Sequence, residues 1–205
     1  MSSAAKSPGM KTFLNGIWRD HPIFSMVLGI CSALAVSNTV ANALAMGAGV
    51  TFVLLATGLL ISLLRSLIPG RVRMITYMIV IATFVIVVDR SLHALFPDIR
   101  QAIGPYVGLI ITNCIIMGRA EAFYAQNNVG QSLLDALANG ISYTYTLVII
   151  AVVRELLGFG TILGFQVMPD TFVNWVVMAM APGAFFVLSI FIWVSRSLSK
   201  TGGDE

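Results

Sequence analysis

Between Pro22 and Leu64 the chain carries no Asp, Glu, Lys or Arg, and most of its positions are Ala, Gly, Leu, Val or Ile. Crossing a hydrocarbon core of ~30 Å takes about 20 apolar residues in a helix, so this tract alone holds two crossings. The rest of the chain follows suit. Only 10% of its 205 residues are charged, against about 25% in a typical soluble domain, and its mean hydropathy is +0.90. Such a composition predicts an all-α integral membrane protein.

Six apolar segments can be read off, at 23–36, 39–64, 74–88, 102–117, 133–153 and 172–194. The first is short for a crossing, the fourth has Gly104-Pro105 near its start, and the sixth holds Pro182-Gly183. Residues 1–22 are polar and broken by Pro and Gly. No basic start leads into an apolar run with a small-residue cleavage site, so a removed signal peptide is not expected there. Residues 197–205 form a polar tail. Neither end offers a soluble domain, so nucleotide-handling chemistry is expected in other chains.

The net charge of +3 reflects basic residues at span ends, which points to membrane topology and excludes a nucleic-acid partner. With six crossings, Lys6, Lys11, Arg19, Arg65, Arg71, Arg73, Arg119, Arg196 and Lys200 fall on one side. Only Arg90, Arg100 and Arg154 fall on the other. The positive-inside rule then places both termini in the cytoplasm. Division into halves 23–98 and 99–196 gives three crossings each. Because three is odd, the halves run in opposite directions, an inverted repeat whose site belongs near the midplane on short or interrupted helices.

The only cysteines are Cys31, in "LGICSALAV", and Cys114, in "IITNCIIMG". Each lies in the first segment of its half. Taken singly, each reads first as packing, since cysteine behaves as a small buried hydrophobe. Their matching positions and small or polar neighbours (Gly29, Ser32, Ala33; Thr112, Asn113, Gly118) favour a ligand role for the pair. Neither His21 nor His93 is spaced to join them, so this chain alone cannot complete a four-ligand metal site.

Asp89, Glu121, Asp135 and Glu155 border apolar segments. Arg90, Arg119 and Arg154 are the sequence neighbours of Asp89, Glu121 and Glu155, which reads as interfacial pairing. Asp135 has no basic residue within ten positions, so a cation or a solvated helix start is expected there. "NGISYTYT" (Asn139–Thr146) fits either interhelical contacts or a polar groove. Trp18, Trp175 and Trp193 fit an interfacial belt. No phosphate-cradling loop, His-Glu-x-x-His pattern or Ser-His-Asp constellation is present.

The stretches "VLGICSALAV", "VGLIITNCIIMGRAEAF", "VRMITYMIVIATFVIVVD", "VRELLGFGTILGF" and "APGAFF" together resemble one family over nearly the whole chain. It comprises the D subunits of bacterial sodium-translocating NADH:quinone oxidoreductases and the E subunits of Rnf electron-transport complexes. Ser32 stands where the Rnf branch typically has proline, which favours the sodium-pump branch.

The resemblance implies six helices in two inverted halves, with the first and fourth broken near the membrane centre. It implies a [2Fe–2S] cluster held by Cys31 and Cys114 together with two cysteines of a homologous E subunit of opposite topology. FAD, FMN and riboflavin are expected in other subunits, within a complex that also contains A, B, C and F subunits in the bacterial inner membrane. Asn113 and nearby backbone N–H groups are the expected hydrogen-bond donors to the cluster, and Asp89 and Asp135 the expected sodium path. Two alternatives stay open at this level. One is a redox-free inverted-repeat secondary transporter. The other is a scaffold subunit whose cysteines only pack.

Overall fold

The computed structural model describes residues 28–95, 104, 106–162, 165–166, 177 and 180–201. The N-terminal segment 1–22, the start of the first apolar segment, Arg100, Pro105, Trp18, Trp175 and the tail beyond 201 lie outside the described residues.

The chain is helical, with α1 at Ile30–Val36, α2 at Val40–Leu64, α3 at Arg73–Leu95, α4 at Cys114–Arg119, α5 at Val129–Gly158 and α6 at Ala181–Thr201. A helical stretch over 106–111 leads into α4, and a π-helical turn, Ala120–Tyr124, follows it. The strands β1 (Thr161–Ile162) and β2 (Phe165–Gln166) form a small antiparallel hairpin after α5. Among the described residues, four stretches are long and apolar enough to cross a membrane: α2, the Arg73–Ser91 part of α3, Tyr106–Tyr124 and α5. The second to fifth apolar segments overlap these four stretches, and the first and sixth overlap the shorter or less apolar helices α1 and α6.

Charges end the apolar runs but not the helices. The sequence places the end of the third segment at Val88 and of the fifth at Val153; α3 and α5 continue to Leu95 and Gly158. α5 continues because Arg154 and Glu155 are buried and bonded rather than solvated. Pro182-Gly183 does not interrupt the sixth helix; it lies in the first turn of α6, where proline costs no intrahelical bond. In the fourth segment the interruption falls at Thr112–Asn113, beyond Gly104-Pro105.

α2 and α5 form the antiparallel centre of the bundle. The start of α2 meets the end of α5, where the Val40 N–H donates to Glu155 Oε2 at 2.7 Å. The end of α2 meets the region before α5, where Ser62 Oγ donates to the Asn127 carbonyl at 2.9 Å. Midway, the two backbones approach through a reciprocal contact. A Cβ on Gly47 would lie 2.6 Å from Thr144 Cγ2 and Oγ1, and one on Gly140 would lie 2.6 Å from Thr51 Cγ2 and 2.7 Å from its Oγ1. Each threonine hydroxyl donates to the carbonyl of the glycine four residues earlier, at 2.7 Å for Thr51 and 2.8 Å for Thr144. "NGISYTYT" is therefore helix-crossing surface, with small residues permitting close approach.

Within an apolar core that includes Met46, Val50, Leu54, Ile81 and Leu147, the small polar residues Ser32, Thr57, Asn113, Ser132, Asn139, Ser142 and Thr146 are fully buried. Leu63, Ile75, Phe186 and Trp193 face outward. An apolar exterior over an interior that mixes apolar with small polar side chains suits a lipid surrounding, where interhelical hydrogen bonds and close packing replace the hydrophobic drive. The charges sort by end. Arg73 Nη1 meets Glu121 Oε1 at 3.0 Å and Arg65 Nη1 meets the Gln126 carbonyl at 3.3 Å, whereas Arg154 lies with Leu34 and Ser37 at the other end.

Candidate functional site

Two helix starts meet at the middle of the bundle, and each carries a cysteine in its first turn. Gly29 precedes α1 with φ of 77°, a left-handed conformation that glycine adopts without a Cβ penalty. Space demands glycine there as well, since a Cβ would lie 2.5 Å from Ile115 Cδ1. On the other side, Asn113 caps α4, its Oδ1 accepting the Ile115 N–H at 3.0 Å. Its Nδ2 faces Ser32 Oγ at 3.4 Å. Ser32 Oγ also donates to the Gly29 carbonyl (3.1 Å) and shares a 2.7 Å hydrogen bond with the Tyr143 hydroxyl.

Ser32 is thus the junction of three helices. Through it the residue after Cys31 bonds to the residue before Cys114. Both thiols are free and exposed, while Ser32, Asn113 and Tyr143 behind them are fully buried. The first N–H groups of each helix have no intrahelical acceptor and are oriented toward its start, where the cysteines sit. Among the described residues no group of three or more His, Cys, Asp or Glu forms. The donor set is therefore two exposed thiols on two helix starts that are tied through Ser32 and Asn113. Two thiols are half of the four that an iron–sulfur cluster takes. Asn113 is a cap and a tie between the two breaks, and its side chain is engaged within this chain.

The ionisable residues pair differently from their order in sequence. Asp135 lies beside Arg119, Nη2 to Oδ1 at 3.2 Å, with side chains only 3% and 8% exposed. The positive charge facing Asp135 is therefore an arginine sixteen residues away, which the ten-residue window missed. Glu121 pairs with Arg73 rather than Arg119, in a half-exposed bridge. Arg154 and Glu155 turn to different helices: Arg154 Nη1 donates to Ser37 Oγ at 2.7 Å, while Glu155 takes the Val40 N–H.

Thr57 Oγ1, Tyr124 Oη, Ser132 Oγ and Asn139 Oδ1 are buried without a hydrogen-bond partner among the described residues, and Asn139 Nδ2 donates to the Asp135 carbonyl at 2.8 Å. Tyr124 interacts electrostatically with both members of the Arg119–Asp135 pair, and Gly58 leaves room for its ring. The π turn that carries Tyr124 adds a residue to the helix, a device often found at functional sites. Asp89, half-buried, is not part of this group. It lies sixteen residues beyond Arg73 on α3, about 24 Å along the axis at 1.5 Å per residue, whereas Arg73 is at the Glu121 end.

Sequence reasoning singled out Cys31, Cys114 and Asn113 but missed Tyr143 and the reach of Arg154. One signal was present. The spacing Gly47–Thr51 in the first half recurs as Gly140–Thr144 in the second, which sets the antiparallel register of α2 and α5. In that register Tyr143 falls at the midpoint.

Comparison with known proteins agrees over nearly the full length. Residues 9–192 match the family described as Rnf-Nqr subunit, membrane protein. The chain is 44% identical over 205 residues to the D subunit of the Na(+)-translocating NADH-quinone reductase of Chlamydia felis, covering 95% of this chain and 96% of the relative. It is 45% identical over 192 residues to the corresponding D subunit of Chlamydia trachomatis serovar L2, covering 89% and 90%. The D subunit of Chlamydia pneumoniae is 44% identical over 192 residues, again covering 89% and 90%. With the family matched over most of its length, this chain belongs to the Rnf-Nqr family of membrane subunits.

Proposed function

We propose that this chain is the D-type membrane subunit of a sodium-translocating NADH:quinone oxidoreductase, and that Cys31 and Cys114 supply two of the four thiolates of an intramembrane [2Fe–2S] cluster. The observation that carries the ligand reading is the meeting of two cysteine-bearing helix starts, tied through Ser32 and Asn113, with both thiols exposed. The other two thiolates come from the homologous E subunit of opposite topology, in a complex completed by A, B, C and F subunits with FAD, FMN and riboflavin. The relatives are themselves D subunits of the sodium pump, in keeping with Ser32 after Cys31.

Such a cluster, when bound, takes up and passes on one electron at a time, with a potential tuned by charge and by hydrogen bonds to its sulfurs. This chain's residues supply the rest. Each cysteine lies in the first turn of its helix, where partial positive charge favours an anion. Asn113 and Ser32 hold the two starts in register. The apolar outer residues exclude water from a centre that relays electrons between NADH on the cytoplasmic side and quinone in the membrane.

The same reading takes the chain as two inverted halves, 23–98 and 99–196, with both termini in the cytoplasm of a bacterial inner membrane. The reciprocal Gly47–Thr144 and Gly140–Thr51 contacts support the repeat. The segregation of Arg65, Arg73 and Arg119 from Arg154 supports the orientation. Asp135 and Asp89 remain the proposed cation path. The buried oxygens of Tyr124 and Asn139 support a passage at Asp135, since hard cations take oxygen ligands.

The test is Cys31→Ala and Cys114→Ala in the intact complex. Loss of iron, of the EPR signal of the reduced complex and of NADH-to-quinone turnover is expected for each. Normal iron content and turnover in both would refute the ligand role and leave a scaffold or a redox-free transporter. For the cation path, Asp135→Asn and Asp89→Asn are expected to raise the sodium concentration needed for half-maximal turnover. An unchanged sodium dependence and rate would remove them.

A further inference from the structure

α1 has seven residues, about 10 Å of helix, and so short a helix is not stable by itself. Its position must come from what grips it. Its start meets Asn113 and Ile115 of the α4 region, and at both of its ends further contacts lead to α5. Near the start, the Tyr143 hydroxyl bonds Ser32 Oγ at 2.7 Å, one residue after Cys31. At the far end, Arg154 Nη1 donates to the Leu34 carbonyl (3.3 Å) and to Ser37 Oγ (2.7 Å), and Nη2 reaches the Met180 carbonyl at 3.4 Å. The next residue, Glu155, accepts the Val40 N–H that opens α2.

The electrostatics suit each partner. A guanidinium stands at the negative end of α1, and a carboxylate at the positive end of α2. Arg154 is 2% exposed and Glu155 4%, so neither serves as a solvated surface charge. Two adjacent residues of α5 thus fix both sides of the α1–α2 corner, while Tyr143, three turns earlier, fixes the turn that bears Cys31.

From this geometry we infer that Tyr143, Arg154 and Glu155 are positioning residues for Cys31, setting the depth and rotation of its thiolate opposite Cys114. The inference rests on the ligand role proposed for Cys31. A one-residue slip of α1 would rotate Cys31 by about 100° away from α4, which is the error these contacts prevent. Lysine cannot replace Arg154 fully, because one ammonium cannot span the Leu34, Ser37 and Met180 acceptors as a planar fork does.

The experiment uses the intact six-subunit complex carrying Tyr143→Phe, Arg154→Lys, Arg154→Met or Glu155→Gln, with Arg71→Met as an exposed control. The readouts are iron per complex, the EPR line shape of the reduced complex and its redox titration. Tyr143→Phe is expected to keep its iron but to shift the line shape. Its reduced-to-oxidised ratio at the wild-type midpoint should change roughly two- to tenfold, the factor corresponding to one hydrogen bond's net free energy. Arg154→Lys should retain more iron than Arg154→Met, and Arg71→Met should match wild type.

Wild-type line shape and titration in Tyr143→Phe and Arg154→Lys, alongside iron loss in Cys31→Ala, would overturn this inference and leave the ligand reading intact. Retained iron in Cys31→Ala would overturn both. Should Arg154→Met fail to assemble, Tyr143→Phe decides, since it removes a single hydroxyl.

Discussion

Replacing Gly47 by alanine tests the helix crossing on which the midpoint site is built. In an exposed helix the change should stabilise by up to ~1 kcal/mol, because glycine is the poorer helix former. At Gly47 the new Cβ would lie 2.6 Å from Thr144 Cγ2 and Oγ1 and 3.0 Å from Thr144 Cβ. Carbon atoms pack best about 3.5–4.0 Å apart, so the helices must separate by close to 1 Å. Rotating the threonine does not suffice, because its Cβ is fixed to the α5 backbone. Separation also loosens the reciprocal Gly140–Thr51 contact. Overpacking of this kind costs about 1–3 kcal/mol and outweighs the propensity gain.

Gly130, in the first turn of α5, has nothing within 4 Å of its Cβ position. Gly130→Ala should therefore be neutral or stabilising, which separates two chemically identical changes by ~2 kcal/mol. The assay is the unfolding midpoint of the purified complex in detergent, by SDS titration, with the four members of the Gly47→Ala and Thr144→Ala cycle measured together. Thr144→Ala removes the two nearest atoms, so Gly47→Ala should cost at least about 1 kcal/mol less in that background. Equal shifts for Gly47→Ala and Gly130→Ala, or no dependence on residue 144, would refute the close crossing.

The two ion pairs should behave differently. Arg119→Met leaves Asp135 buried without its guanidinium and should cost about 3–5 kcal/mol, with part of the loss recovered in Arg119→Met/Asp135→Leu. Arg73→Met, at a bridge with side chains 35% and 39% exposed, should cost under ~1 kcal/mol in the same unfolding assay. Gly29→Ala forces a left-handed alanine, at about 1–2 kcal/mol, against Ile115; adding Ile115→Ala should relieve the clash but not the strain, restoring iron content only in part. Fusions at the C-terminus should give a fluorescent cytoplasmic reporter and an inactive periplasmic phosphatase. The opposite pattern would invert the proposed topology.

Much of this protein is legible along the chain because a membrane makes local demands. Each crossing needs about 20 apolar residues whatever its neighbours do, so the charge-free tract from Pro22 to Leu64 and the later apolar segments announce helices one by one. That Cys31 and Cys114 occupy matching positions in the two halves is also legible in the sequence, and the structure sets both at helix starts. Partners were not legible. Arg119, Glu121, Arg154 and Glu155 each have a charged neighbour in sequence, and the tertiary structure gives each a partner on another segment.

The sequence by itself determined the class of protein, the approximate limits of its helices, and which residues could act as soft ligands. Only the tertiary structure decided that the fourth segment breaks at Asn113, that Asp135 faces Arg119, and that Ser32, Tyr143 and Asn113 join the two cysteine-bearing starts. The physical reason is range. Hydropathy acts within one helix, whereas a hydrogen bond or ion pair buried between helices depends on the register of α2 against α5, which the reciprocal glycine–threonine contacts set across 93 residues of chain.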